Sequence, residues 1–365
     1  MKQLTIFLAI IMMMGCPKPP DPYDTEPNVV RTITIEWEYF EIGEPGDIFR
    51  DVAIINDSMA IAVGHTHHDT GSHPEANGAV WNGVSWQVID IYGTNIQNPR
   101  PSALESVFAL SQSSLWVAGA GPQQYKESSW FKYYSSNSAW DNPFYVYSIW
   151  GRSGDDVYFG GQLGNLVHWD GNDFEYVDTG MQVDIQNIDG TNETAFVIGW
   201  CIFGTPCHYT VVLQQIEGVW VTLKYEDNLI HESDTGIEVG RYYDVNVLGD
   251  TAYFPTDYAP IVKYNYITED WSNSGPYSPS APYQYTMLAG NEWNNQLLLH
   301  EWTGGMAWFN GESTITDSSL LNSYEFLSSA HLLDMEYDGQ TVYVVGRGQA
   351  AFVAVGHVEI FEETE

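Results

Sequence analysis

The sequence predicts an all-β fold: a seven-bladed β-propeller of four-stranded antiparallel blades, preceded by a signal peptide and a Pro-rich tether. Three observations predict it. A short apolar strand ending in Gly recurs along the chain. A small polar residue followed by an aliphatic one stands 11 to 14 residues before each strand end. Asn-Gly and Asp-Gly dipeptides separate further apolar runs.

The strand recurs as MAIAVG ending at Gly64, LWVAG at Gly119, VYFG at Gly160, AFVIG at Gly199 and VYVVG at Gly346. Weaker copies end at Pro255 and His300. The upstream anchors are Asp51, Ser106, Ser148, Asn187, Asp244, Thr286 and Asp334. A unit of this size cannot bury its own faces, so units must pack on one another. The other two strands of a blade are clearest in AVWNGVSWQVI, LVHWDGNDFEYV, LQQIEGVWVTL and MAWFNGESTIT. Their turns, at Asn82-Gly83, Asp170-Gly171, Gly218 and Asn310-Gly311, predict tight hairpins with both turn residues at positive φ. No long helical periodicity interrupts the pattern, and only Leu320 to Met335 reads ambiguously. Residues 35–42, IEWEYFEI, are expected to close the ring as the outer strand of the seventh blade, with Trp37 in the register of Trp86. The competing segment is VEIF at 358–361.

Composition narrows the function. Hydrophobic residues make up 44% of 365, enough for a large core. Twelve Lys+Arg against 48 Asp+Glu give a net charge of −36. Such a chain does not neutralise phosphates, which excludes a nucleic-acid binder and electrostatic docking on anionic lipid. Aromatics at 15% fit β-structure and stacking surfaces.

Three segments follow from the N-terminus: a signal peptide over 1–15, a tether headed by Cys16 over 16–30, and the propeller over 31–365. Lys2 precedes an apolar stretch from Leu4 to Met14, too short to span a bilayer. The stretch runs into Met13-Met14-Gly15-Cys16, which resembles the lipobox of bacterial lipoproteins, with Met at the two positions where Leu and then Ala or Ser are common. The resemblance implies cleavage after Gly15, lipidation of Cys16 and a place in the cell envelope. Pro17, where inner-membrane lipoproteins commonly have Asp, implies the outer membrane. The tether PKPPDPYDTEP is an extended spacer. Cys201 and Cys207 suit a structural disulfide in an oxidising compartment, with a free pair or a metal pair as alternatives.

The copies SIWGRSGDDVYFGGQLGNLVHWDGNDFEYV and RDVAIINDSMAIAVG are similar to a family of bacterial propeller lipoproteins with S-I-W-G, D-V-Y-x-x-G and H-W-D-G repeats. Phe174 stands where that family usually has Trp. Its members sometimes carry a glucosyltransferase label. The activity does not follow, because nucleotide-sugar transferases resemble α/β folds and this chain has no βα alternation.

The seven anchors are expected to line the channel on innermost strands. There they either satisfy crowded backbone groups or bind water, a divalent cation such as calcium, or hydroxyls. In HTHHDTGSH, His65, His67, His68 and His73 are candidate ligands for zinc, copper or nickel, the alternative being a solvated loop. Trp130, Phe131, Tyr133 and Tyr134, then Tyr277, Tyr283 and Tyr285, then Trp293 and Trp302, are candidate stacking residues or inter-blade core. No nucleophile elbow, P-loop, zincin or dinucleotide motif occurs. The expected function is a lipid-anchored binding or scaffolding module for a glycan or envelope protein, touching membrane through its lipid only. The rival is a carbohydrate-active enzyme with carboxylates assembled at the channel mouth.

Overall fold

The recurring Gly-ended strand is the second strand of its blade and is buried nearly throughout, as in Met59–Thr66, Ser114–Gly119, Asp156–Gly161, Ala195–Trp200 and Thr341–Arg347. Sheets bury strands on both faces when other sheets cover both sides, and this run of small and branched residues meets that demand. The computed structural model describes residues 29–67, 75–95, 97, 100–111, 114–133, 145–180, 183–200, 209–227, 242–256, 261–273, 285–291, 296–301, 306–309, 314–317 and 331–364.

These residues form seven four-stranded antiparallel sheets. Six take their strands in chain order; in the seventh the order is Val29–Ile42, Ala351–Thr364, Thr341–Arg347, His331–Tyr337. The innermost strands are Ile48–Asn56, Leu104–Ser111, Val146–Ser153, Asp184–Gly190, Asn246–Leu248, Tyr285–Asn291 and His331–Tyr337. Each lies against the next, and the last returns to the first, so the ring is a closed propeller.

The N-terminal strand closes that ring. Val29–Ile42 pairs along its whole length with Ala351–Thr364, from Val29 opposite Thr364 to Ile42 opposite Ala351. The 358–361 segment is the partner of this strand and not its competitor: Val358 sits opposite Ile35 and Phe361 opposite Thr32. Trp37, opposite Gly356, which is opposite Val342, holds the blade-seven equivalent of Trp86, which is opposite Trp81 and then Ala60. Trp130, Phe174, Trp220 and Trp271 take the same position on the outer strands of blades two to five.

The core is a series of seams. One packs Trp86, Phe49 and Val52 of the first blade against Tyr343, Val345 and Phe40 of the seventh. Another packs Trp116 and Ala118 against Val157, Phe159 and Trp169. Blades splay outwards, so the gap between them widens with radius. The aromatic ring on the outer strands fills the wide end, while Ala60, Ala62 and Ala195 sit nearer the axis.

The turns differ from expectation in one respect. Asn82 and Asp170 do not take positive φ; only Gly83 and Gly171 do, at +87° and +94°. The loops hold four residues, closing between Trp81 and Trp86 and between Trp169 and Phe174. Asn82 Oδ1 accepts the amides of Val84 and Ser85 at 3.0 Å each, and Asp170 Oδ1 those of Asn172 and Asp173 at 2.8 Å each. The Asn or Asp is selected for its side-chain acceptor. Two-residue hairpins with both φ positive occur at Glu217-Gly218 and at Glu127-Ser128. Asn310-Gly311 lies outside the described residues.

Candidate functional site

The innermost strands enclose an axial cavity of about 440 Å³. Just before five of the anchors the inner strand carries one extra residue, with register shifts between Phe49 and Asp51, Leu104 and Ser106, Val146 and Ser148, Ile185 and Asn187, and Leu332 and Asp334. A bulge re-aims the side chains beside it. The bulged Arg50, Glu105, Tyr147, Gln186 and Leu333 therefore stand at one end of the cavity wall, with Tyr243 beside them. Asp51, Ser106, Ser148, Asn187, Asp244 and Asp334 form the next layer. In the sixth blade the shift falls between Tyr285 and Met287. Met287 thus holds the register of the other anchors and Thr286 holds the bulge, one residue from its expected place.

The anchors bond to the neighbouring blades. The Val52 amide donates to Asp334 Oδ2 at 3.0 Å and the Val107 amide to Asp51 Oδ2 at 2.7 Å. The Ile188 amide donates to Ser148 Oγ at 3.1 Å, and that hydroxyl donates to Asn187 Oδ1 at 3.1 Å. Asn187 Nδ2 donates to Asp244 Oδ1. Further along the strands, the Val247 amide donates to Asp189 Oδ2 at 2.6 Å. Inner strands crowd the axis and their first amides face no strand on that side, so a short polar side chain from the preceding blade satisfies them.

Burial pushes the Asp51 carboxyl well above the usual carboxylate range, reinforced by the charge and hydrogen bond of Asp334; burial raises Asp334 as well. The two share a hydrogen bond, which requires a proton between them. Glu336 is pushed up to about 8 by desolvation, with Asp334, Asp189, Asp338 and Asp244 adding negative charge. Its surface is exposed, yet it lines the cavity. Water reaches the carboxylate, but the surrounding ring of protein limits the screening that open solvent would give. Alternation from Asp334 places residue 336 on the same side of the strand, a signal the anchor spacing alone does not use. At the rim, Arg50 Nε lies 3.1 Å from Glu105 Oε2. Burial raises Glu105 and Arg50 opposes the rise.

A second cluster lies at the same end of the first blade, where Ile48 pairs with His65. Asp47 is fully buried. His67 Nδ1 lies 2.6 Å from Asp47 Oδ1, and the His67 amide is 3.0 Å from both carboxylate oxygens. The His65 and His67 rings meet edge to face, with centroids 5.0 Å apart. The Asp47 bond and charge raise the His67 imidazole above its ordinary value. The motif therefore contributes two of its histidines, joined by a carboxylate that lies eighteen residues upstream of His65, with no spacing signal to mark it.

Cys16, Cys201, Cys207, His68 and His73 lie outside the described residues, as do Tyr134, Tyr277, Tyr283, Trp293 and Trp302. Trp130 is buried between the first two blades. Tyr133 stacks on Trp116 at 5.5 Å in the next seam and donates to Gln124 Oε1 at 2.7 Å. Both are packing residues.

No family model and no curated protein sequence matches the chain. Solved structures do match its shape. YCF48 bound to D1 peptide aligns with a TM-score of 0.60 at 12% identity, over 88% of this chain and 94% of that one. YCF48 from Cyanidioschyzon merolae aligns at 0.60 and 11%, over 87% and 98%. The Neurospora crassa Pan2 WD40 domain aligns at 0.57 and 9%, over 86% and 89%. At these identities the likeness establishes the propeller fold.

Proposed function

We propose that this chain is a binding module of the bacterial cell envelope, anchored by lipidated Cys16, that captures a basic segment of an envelope protein at its axial cavity. The observation that carries the proposal is the convergence of Asp51, Asp189, Asp244, Asp334 and Glu336 on one cavity. Its volume of about 440 Å³ falls in the range of ligand sites. The net charge of −36 would steer a cationic partner to it. The YCF48 structure with a bound peptide is a precedent for peptide capture on this fold.

The enzyme reading is weaker. Glycosidase carboxyls stand about 5–9.5 Å apart around the scissile bond. Asp51 and Asp334 hydrogen-bond to each other, and each carboxylate also accepts a backbone amide.

The test is the melting temperature of the full-length protein against Lys/Arg-rich peptides, acidic peptides and neutral oligosaccharides. A basic peptide should raise it in low salt, and about 0.5 M salt should reduce the shift. A shift with oligosaccharides alone would replace this reading with glycan binding. No shift with any class would end it.

A further inference from the structure

We propose that Asp47, His65 and His67 form a divalent transition-metal site on the rim of the first blade. A ligand atom from each lies within 4.8 Å of the other two. Two imidazoles and one carboxylate suit zinc, copper(II) or nickel, and three protein ligands leave a coordination position open. Glu75 Oε2, 3.8 Å from His65 Nε2, adds a second carboxylate at the edge.

The site is built before any ion arrives. The Glu44 amide donates to Asp47 Oδ2 at 2.6 Å and the His67 amide holds both oxygens, so the carboxylate has one position. Gly43 sits at φ +94°, and a Cβ there would collide with Asp47 Oδ2. The turn is therefore shaped around this carboxylate. The backbone at His65 is fixed by strand pairing to Ile48. The entry path is His67, whose side chain is 51% exposed while that of Asp47 is at 0%. A cation would tie the turn before the first inner strand to the end of the second strand.

Titration calorimetry of tag-free, full-length protein with zinc alone tests the site. One equivalent should bind, and His65→Ala and His67→Ala should each weaken it at least tenfold. Cobalt(II) should give a visible absorption band that both variants lose. Asp47→Asn risks the fold, so the exposed His67 carries the test. The proposal fails if no stoichiometric binding occurs. It fails equally if His67→Ala binds like the parent, or if His68→Ala with His73→Ala abolishes binding that His67→Ala retains.

Discussion

Asp51 and Asp334, on the inner strands of the first and seventh blades, hydrogen-bond to each other through their carboxyl groups. The pair spans the seam between the seventh blade, in which the two ends of the chain pair, and the first. Each also accepts an amide from the next blade, Val107 and Val52 respectively. One proton held between the two acids lets both oxygens serve without two bare charges in contact.

Asp51→Asn should therefore be tolerated. The amide can donate to Asp334 and accept from Val107, as the protonated acid does. Asp51→Ala leaves the Val107 amide and Asp334 without that partner, and should cost about 1–3 kcal/mol. Urea denaturation of both variants at pH 7 checks the contrast. Equal losses would show that the shared proton is not the basis of the pairing.

Glu336 sets a pH dependence. Its folded value is about 8, above the ordinary carboxyl, so the folded chain holds a proton there that the unfolded chain has released. This contribution is fully present below the ordinary carboxyl value and is lost as pH rises towards and through about 8. The melting temperature should fall between pH 5 and pH 9, and Glu336→Gln should show a smaller fall. Parallel curves for the two proteins would remove Glu336 as the cause.

Gly356 tests the closing strand. A Cβ there would meet Ile35 Cγ2 and Val342 Cγ1 at 2.7 Å and Trp37 Cε3 at 3.0 Å. These groups lie on both neighbouring strands, and neither strand can shift without opening the ladder. Gly356→Ala should cost about 1–3 kcal/mol through overpacking. Limited proteolysis should then cut first in the N-terminal strand.

Trp116 tests the seams. It is fully buried and packs against Phe159 at 5.2 Å and Trp169 at 5.7 Å, both in the next blade. Trp116→Ala should cost about 3–5 kcal/mol, because neighbouring sheets are too stiff to close the cavity. A loss below about 1 kcal/mol in urea denaturation would mean that the seam relaxes.

The repeat is legible in the sequence because each blade reuses local chemistry. Alternation, a Gly-ended second strand and side-chain-capped turns all act between residues close together in the chain. Trp37 matches Trp86 on sequence pattern alone, since both obey one register. Thr286 falls one residue from the anchor layer because a bulge adds a residue without changing the polar-then-aliphatic look of the sequence.

By itself the sequence determined the all-β class, the four-stranded blade and the ring of seven, and it favoured the N-terminal strand over VEIF at 358–361 as the strand that closes it. These follow from periodicity and turn chemistry, which are properties of neighbouring residues. Only the tertiary structure decided that Asp51 meets Asp334, that Glu336 faces the cavity, and that Asp47 joins His65 and His67. Those residues are brought together by ring closure and strand pairing. Contacts between distant segments depend on how whole sheets pack, and no local spacing records that.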